Sequence, residues 1–336
     1  MSGEDVMKIH AAVVSSFDRP PAYEPFELPA PDAGQALVDV LAVGLHPRVR
    51  SGASGRHYTS TGELPMVPGV DGVGRLEDGR TVYFVADDEL VGPLATRTVI
   101  DTRRCVELPA GADPVRIAAA MNPAMSSWVA LRRRVPLRPG QSVLVLGAGG
   151  NAGAMAMRVA SLLGAGRVVG AARHPHSEIA AQAGTARCSD GEIAAPAGAA
   201  SGSAAEVVSL ADVGEVAADV DVVLDYLWGA PAAEAMMAVL RARADRGREL
   251  NWVQIGSVAG PTIELPSVAL RSANFRLQGN GQGAVSARAY LAELPALIDE
   301  IVAGRLSLRT RTAPLADVER VWVAAEEPGV RTVLVP

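Results

Sequence analysis

The chain has 336 residues, of which 49% are hydrophobic and 20% charged, and its formal net charge is −6. This length predicts two domains or one large one, and the composition is ordinary for a protein with sizeable cores. The negative balance argues against nucleic acid or an anionic membrane as a partner. The polar start of the chain carries no apolar targeting segment, so we expect a cytoplasmic protein.

The chain holds two cysteines, Cys105 and Cys188. Nothing in the sequence indicates an oxidising compartment, so we expect two reduced thiols rather than a disulfide. A structural zinc site of the four-cysteine type cannot be built from two cysteines. A catalytic zinc site that uses two cysteines and a histidine is not expected either.

The first third of the chain is predicted to be rich in β-structure. Apolar runs with many β-branched residues cover residues 9–15, 36–43 and 81–85. Frequent prolines and glycines separate these runs, a pattern that favours short strands joined by turns.

From residue 142 the pattern changes to short apolar strands that alternate with helical stretches. Strands are predicted at residues 142–146, 168–171, 220–224, 252–255 and 275–278, with an apolar helix at 154–163. Strands separated by helices imply a parallel sheet with right-handed crossovers. Residues 194–205, rich in Ala, Gly and Ser, are predicted to be a surface loop. The tail is predicted to hold an amphipathic helix at 287–303 and a strand at 332–335.

A glycine-rich turn, which we call the glycine turn (residues 147–153), follows the predicted strand 142–146 and precedes the predicted helix. Its pattern is G-x-G-x-x-A. Small residues here let a pyrophosphate approach backbone N–H groups at a helix N-terminus, where the helix dipole favours negative charge. The alternative is a tight strand–helix turn that binds nothing. The predicted cofactor contacts in the turn are Gly147, Gly149, Gly150, Asn151, Ala152 and Gly153.

The residues after the second strand of this domain indicate which dinucleotide binds. An NAD site usually has Asp or Glu there, whereas this chain has Arg173 and His174, and no carboxylate precedes Glu178. An arginine can bind a 2′-phosphate through charge-assisted hydrogen bonds. We therefore predict NADP(H), with Arg173 and His174 as contacts; the alternative is a solvated surface arginine.

Several segments, taken in chain order, resemble the zinc-independent quinone oxidoreductases (zeta-crystallin-like) of the medium-chain dehydrogenase/reductase superfamily. Residues 43–47 (VGLHP) are similar to their GLNP segment, and residues 68–74 (PGVDGVG) to PGxDxxG. Residues 118–131 (AAAMNPAMSSWVAL) resemble AAALPxxGLTAWxAL, and residues 143–153 resemble VLVxGAxGGVG. The resemblance covers almost the whole chain.

This resemblance implies an α/β fold in which a doubly wound Rossmann sheet, residues 123–285, is inserted into a GroES-like β-barrel catalytic domain, residues 1–122 and 286–336. It implies metal-free hydride transfer from NADPH to a quinone, an enone or a similar activated double bond, and a homodimer joined through the Rossmann domain. It also implies further cofactor contacts at Ser126, Tyr226, Ile255, Gly256, Ser257 and Asn280.

The chain departs from the family on the substrate side. His46 stands where the family has Asn, and Val49 where an Asp follows. In the loop that would face the nicotinamide, His46, Arg48 and Tyr58 are the predicted catalytic residues, since each could hydrogen-bond an acceptor carbonyl or deliver a proton. His57 is a further candidate. Each of these could instead be a surface or bracing residue.

Zinc-dependent relatives carry a cysteine near position 46 and Gly-His-Glu near position 70, and this chain has neither. No metal is therefore expected. Asp71 is expected to brace backbone N–H groups, Trp128 to lie in the core, and the arginines at 132–134 to form a solvated helix end. Two other functions stay open: a biosynthetic ene- or ketoreductase acting on a specialised metabolite, and a nucleotide-binding protein without catalysis.

Overall fold

The computed structural model describes residues 6–86, 91–175 and 204–336. The chain divides into two compact units, residues 1–122 with 294–336 and residues 123–293. The chain returns to the first unit at residue 294, where the sequence predicts 286. The first division falls inside one helix, Pro114–Val129.

The first unit is built mainly from strands. A two-stranded antiparallel sheet pairs β1 (Val6–Val13) with β2 (Ala22–Pro29). A larger mixed sheet has the order β14-β15-β3-β4-β5-β7, with β6 paired to β3. Its strands are β3 (Gln35–Gly44), β4 (Asp71–Leu76), β5 (Thr81–Val85), β6 (Arg97–Asp101), β7 (Cys105–Glu107), β14 (Arg309–Pro314) and β15 (Val330–Val335).

Buried side chains of these strands form the core of the first unit. β1 is exposed at its start and buried toward its end, and β15 is buried at Arg331–Leu334. One apolar cluster joins β1, β3 and the C-terminal segment through Ile9, Val40, Val43 and Leu334, all under 9% exposed. The helices of this unit are α1 (Pro47–Ala53), the first part of α2 (Pro114–Val129), α8 (Leu294–Val302) and α9 (Val318–Val323).

The second unit contains a six-stranded sheet in the order β10-β9-β8-β11-β12-β13, and every pairing in it is parallel. Its strands are β8 (Ser142–Leu146), β9 (Arg167–Ala172), β10 (Ala204–Ser209), β11 (Val222–Asp225), β12 (Leu250–Gln254) and β13 (Phe275–Gly279). The central strands β8 and β11 are fully buried after their first residues, as a parallel sheet covered on both faces requires.

Helices connect these strands, namely α3 (Asn151–Leu162), α4 (Val213–Val216), α5 (Gly229–Ala242), α6 (Ser267–Arg271) and α7 (Ala287–Leu291). The strand order reverses between β8 and β11, because β9 lies on one side of β8 and β11 on the other. In open α/β sheets ligands bind at such a switch point, outside the carboxyl ends of the strands. The parallel sheet predicted from the sequence is therefore present, with strand ends within about two residues of those expected.

Two details differ from the expectations. The amphipathic segment at 287–303 forms two helices, α7 and α8, because Pro295 cannot donate the hydrogen bond that a continuous helix needs and restricts the residue before it. The loop expected at 194–205 lies outside the described residues up to 203, and β10 already begins at Ala204. No helix in the described part of the chain is long and apolar enough to cross a membrane.

Candidate dinucleotide site and acceptor loop

The glycine turn lies at the carboxyl end of β8, beside the switch point. Gly147 adopts φ +92°, a conformation that favours glycine. Gly150 caps α3 with extended backbone and no side-chain hydrogen bond, and the first turn of α3 contains no acidic residue. The first N–H groups of this 12-residue helix therefore face outward without intrahelical partners, as an anion site requires.

The glycines in the turn serve different purposes. A Cβ at Gly153 would lie 2.2 Å from the Gly147 carbonyl oxygen, so glycine here lets α3 pack against the turn. A Cβ at Gly150 would meet only that same oxygen, at 3.6 Å, and Gly149 and Gly150 are both exposed. The space next to Gly149 and Gly150 is open for a ligand, and the turn fits a dinucleotide pyrophosphate.

The predicted 2′-phosphate contacts follow β9. Arg173 and His174 are both exposed, directly after the buried Ala172. Within the described part of the chain, the Arg173 guanidinium makes no hydrogen bond or ion pair. Glu178 lies outside the described residues.

Three other predicted cofactor residues lie together in the second unit. The hydroxyls of Ser126 and Tyr226 are 2.9 Å apart, and the Asn280 side chain donates to the Ser126 carbonyl at 2.8 Å. Tyr226 and Asn280 are each 8% exposed. Burial raises the pKa of the Tyr226 phenol to about 12, although the hydrogen bond between Tyr226 and Ser126 opposes the rise, so this phenol stays protonated at neutral pH. Asn280 follows β13, and Ile255, Gly256 and Ser257 follow β12.

A strained turn after β11 was not predicted from the sequence. Among the described residues, Trp228 is the non-glycine with a positive φ, +53°. The Asp225 carboxylate accepts the backbone N–H groups of Leu227 and Trp228 at 2.8 and 3.0 Å, and the Trp252 indole N–H at 3.0 Å. Burial raises the pKa of Asp225, while these three donors oppose the rise. Backbone strain of this kind is often found at functional sites, and here it lies two residues after Tyr226.

The arginines at 132–134 end a helix, and Arg132 and Arg133 are exposed as expected, but all three also bind partners that the sequence did not indicate. The buried carboxylate of Glu293 accepts hydrogen bonds from the Trp128 indole at 3.0 Å and from Arg132 at 2.5 Å, and it forms an ion pair with Arg133 at 2.5 Å. Burial raises the pKa of Glu293, but the hydrogen bonds from Arg132 and Trp128 outweigh it and lower the pKa overall. Trp128 is 3% exposed, in the core as expected.

Arg134 holds the segment that carries Asn280. Its Nε donates to the carbonyl of Gly279 at 3.0 Å and its Nη1 to that of Ala284 at 3.1 Å. These residues flank Asn280, whose own N–H donates to the Gln254 carbonyl. No local pattern indicates this contact, because Arg134 and Gly279 lie 145 residues apart in the chain.

In the first unit, the residues predicted to face an acceptor lie in different environments: His46 is buried, whereas Tyr58 is exposed. His46 lies two residues after the end of β3 and is the N-cap of α1. It is 2% exposed. Its Nε2 lies 3.1 Å from the Asp71 carboxylate, and Tyr83 donates its hydroxyl to the other Asp71 oxygen at 2.7 Å. Asp71 therefore binds two side chains rather than bracing backbone N–H groups, contrary to the expectation.

Arg48 and His57 line a small cleft within this unit, whereas Tyr58 is 70% exposed. The His57 ring lies 4.4 Å from the Tyr58 ring, and its Nδ1 is 2.8 Å from the Thr59 hydroxyl. The cleft wall includes α1 residues on one side and the segment before β4 on the other. Hydroxyls of Thr59, Ser60 and Thr61 give the cleft a polar lining.

The remaining expectations concern metals and thiols. In residues 6–86, 91–175 and 204–336, no group of three or more His, Cys, Asp and Glu side chains could hold a metal ion. Cys105 is a free thiol, and burial raises its pKa. Cys188 lies outside the described residues.

Comparison with known proteins finds a full-length relative and several solved structures with a similar fold. No family model matches the chain. The chain is 30% identical to the "Probable NADPH-dependent quinone reductase tdiC" of Emericella nidulans over 372 residues, covering 98% of this chain and 100% of that protein.

Solved structures with similar folds include a mycobacterial quinone oxidoreductase, at a TM-score of 0.76 and 19% identity. A quinone oxidoreductase from Pseudomonas syringae pv. tomato matches at 0.76 and 22% identity, and a thermostable alcohol dehydrogenase from Pyrobaculum aerophilum at 0.76 and 20%. Each match covers 98% of this chain and 100% of the other. At these identities the structures show the fold alone, and they confirm the predicted α/β class. With the full-length relative, the chain belongs to the quinone reductase family of the medium-chain dehydrogenase/reductase superfamily.

Proposed function

We propose that this protein is an NADPH-dependent oxidoreductase that transfers hydride to a quinone, an enone or a similar activated double bond. The observation that carries the proposal is the open glycine turn at the switch point of the parallel sheet, followed at the end of β9 by the exposed Arg173. The name of the full-length relative, an NADPH-dependent quinone reductase, supports the same cofactor and acceptor class.

The cofactor, when bound, supplies the hydride. The backbone of the glycine turn would hold the pyrophosphate at the N-terminus of α3. Arg173 and His174 would bind the 2′-phosphate by charge and hydrogen bonds. Ser126, Tyr226 and Asn280, with residues 255–257, would orient the nicotinamide end.

On the acceptor side we propose Arg48 and Tyr58, with His57, as the side chains that can contact an acceptor oxygen. Hydrogen bonds to that oxygen would stabilise the negative charge that develops as hydride adds to the conjugated system. His46 is buried against Asp71 and has a different role, argued below.

We further propose that the enzyme needs no metal, lies in the cytoplasm and forms a homodimer. Metal independence is supported by the residues at 45–47 and 70–72, which lack the cysteine and the Gly-His-Glu of zinc-dependent relatives. The relatives do not favour a biosynthetic reductase over the quinone reductase.

The test is NADPH oxidation measured with a panel of quinones and enones, in buffer with and without a strong chelator. We expect turnover on at least one quinone, slower turnover with NADH, and no loss of rate in the chelator arm. Tight NADPH binding without turnover on any acceptor would favour a non-catalytic nucleotide-binding protein. Activity lost with one bound zinc per chain would overturn metal independence.

A further inference from the structure

Three buried polar side chains of the first unit form a connected network: His46, Asp71 and Tyr83. They are 2%, 3% and 0% exposed. The two Asp71 oxygens have separate partners, since Oδ1 lies 3.1 Å from His46 Nε2 and Oδ2 accepts the Tyr83 hydroxyl at 2.7 Å. His46 occupies the position where the resembling family has Asn, so this pairing belongs to the chain itself.

The geometry fixes where the proton on His46 sits. An ionised carboxylate can only accept hydrogen bonds, so the nitrogen that faces Asp71 must carry a hydrogen. The other ring nitrogen, Nδ1, is buried and has no hydrogen-bond partner among the residues that the structure describes. A proton there would be a buried donor without an acceptor, on a charged ring, which is costly. The arrangement therefore favours the neutral ring with its hydrogen on Nε2.

The charges around the ring point the same way. Burial is the largest influence and lowers the pKa of His46, and Arg331 and Arg48 lower it further, whereas Asp71 raises it. Arg331 is itself 4% exposed and donates to the carbonyl of Leu45, next to His46 in the chain. At neutral pH the ring is accordingly uncharged and has no proton to give through Nδ1.

The network also connects elements. His46 is the N-cap of α1, Asp71 opens β4, and Tyr83 lies on β5. α1 carries Arg48 and forms part of the cleft wall. Joining its N-cap residue to two neighbouring strands fixes the position of that wall.

We propose that Asp71 and Tyr83 are positioning residues that hold His46 as a neutral imidazole protonated on Nε2, and that this network fixes the α1 wall of the acceptor cleft. His46 is then not the proton donor of the reaction. The inference rests on the proposed function for the cleft, although the protonation state of His46 can be measured without any turnover.

The first test is nitrogen-15 NMR of the histidine ring nitrogens between pH 6 and 8, with His46→Asn used to assign the signal. We expect a protonated Nε2 and an unprotonated Nδ1 over the whole range in the native protein. The fixed tautomer should be lost in Asp71→Asn and kept in Tyr23→Phe, which removes a hydroxyl outside the network. A charged His46 ring at pH 7, or hydrogen on Nδ1, would overturn the inference.

The second test is steady-state kinetics with 1,4-naphthoquinone as the acceptor, on Asp71→Asn, Tyr83→Phe, His46→Asn and the control Tyr23→Phe. A misplaced cleft wall weakens ground-state and transition-state binding together, so we expect KM for the quinone to rise about tenfold while kcat changes little. The Kd for NADPH should not change. The pH profile of kcat should have the same limbs in His46→Asn as in the native enzyme.

A loss of about 100-fold in kcat for His46→Asn, together with loss of one limb of the pH profile, would make His46 a general acid and sink the inference. Melting temperatures of all variants separate a shifted wall from a failure to fold. If the native protein does not oxidise NADPH with any acceptor tested, the proposed function has failed. The NMR result still decides the protonation state of His46.

Discussion

At the scale of single residues, two glycines of the glycine turn have different roles: Gly150 leaves space for a ligand, whereas Gly153 is needed for packing. Gly150 has extended backbone, and a Cβ there would be in ordinary contact distance, 3.6 Å from the Gly147 oxygen. Gly153 has no such room, at 2.2 Å. The two glycines therefore call for different experiments.

We expect Gly150→Val to keep the melting temperature within a few degrees while NADPH affinity falls sharply, because the branched side chain fills the space where the pyrophosphate approaches the backbone. The NADPH affinity of Gly150→Ala should lie between that of the native protein and that of Gly150→Val. Fluorescence titration with NADPH measures the affinities. Gly153→Val is the contrasting variant and should fail to fold well. Normal NADPH binding by Gly150→Val would show that this glycine is not at the phosphate.

Arg173 is expected to set the cofactor preference. Arg173→Ala should reduce the preference for NADPH over NADH by roughly 1–3 kcal/mol, the range of a charged hydrogen bond. Titration calorimetry with both cofactors measures it, and Arg138→Ala, at an exposed arginine far along the chain, is the control. Equal affinities of the native protein for the two cofactors would contradict the prediction.

His46 gives a pH dependence whose sign follows from its lowered pKa. The unfolded chain binds a proton at this histidine near pH 6.5, whereas the folded protein does so only at a lower pH. Between these two values the unfolded state holds more protons, so the free energy of unfolding decreases as pH falls, by at most about 1.4 kcal/mol per pH unit.

Urea denaturation at pH 7.5 and pH 5.5 measures this contribution. The loss of stability at the lower pH should be smaller in His46→Asn than in the native protein. His10→Asn, at an exposed histidine, should behave like the native protein. The same pH dependence in all three proteins would show that His46 contributes none of it.

At the scale of secondary-structure elements, the segment after β13 depends on a side chain from another element. Arg134 follows α2 in a π-helical turn, Ala130–Arg134, and binds the carbonyls of Gly279 and Ala284. Asn280 lies between those two carbonyls and donates to Ser126. Arg134 therefore orders a strand end that belongs to the proposed nicotinamide site.

Arg134→Met keeps most of the side-chain stem and removes both hydrogen bonds. We expect the Kd for NADPH to rise about tenfold, since two hydrogen bonds from a charged group position Asn280. Arg138→Met is the matched control, because Arg138 is exposed and its side chain has no such role. An unchanged Kd in Arg134→Met would mean that the segment keeps its position without this arginine.

At the scale of the whole molecule, the parallel sheet of the second unit ends in β13, which pairs with β12 on one side. A strand with one unpaired edge can pair with another chain. Val258, Val268 and Leu270 of the same unit are exposed at 81%, 48% and 53%. These features are compatible with the homodimer that the family resemblance implies.

We therefore expect a particle of about twice the 34.7 kDa chain mass in size-exclusion chromatography with light scattering. The measurement should be repeated over a wide range of protein concentration, because a weak dimer dissociates on dilution. A mass of one chain at every concentration would refute the homodimer.

Features that depend on neighbouring residues along the chain could be predicted without a structure. Alternating and continuous apolar runs predicted the strands of the parallel sheet, and the spacing of Gly147, Gly149 and Gly150 predicted a turn between β8 and α3. These features are local, since backbone conformation and hydrophobic period act over a few residues. The break at Pro295 was equally local and could have been read from the proline alone.

Contacts between side chains that are distant in the chain became visible only in the folded protein. His46 and Asp71 lie 25 residues apart in the chain, Arg134 and Gly279 145, and Trp128 and Glu293 165. Nothing in the local sequence around either partner indicates such a pair, because a buried polar group acquires its partner only when separate elements pack together. The sequence therefore placed the glycine turn correctly between β8 and α3. It could not indicate that His46, a candidate proton donor by its position in the chain, is buried against Asp71.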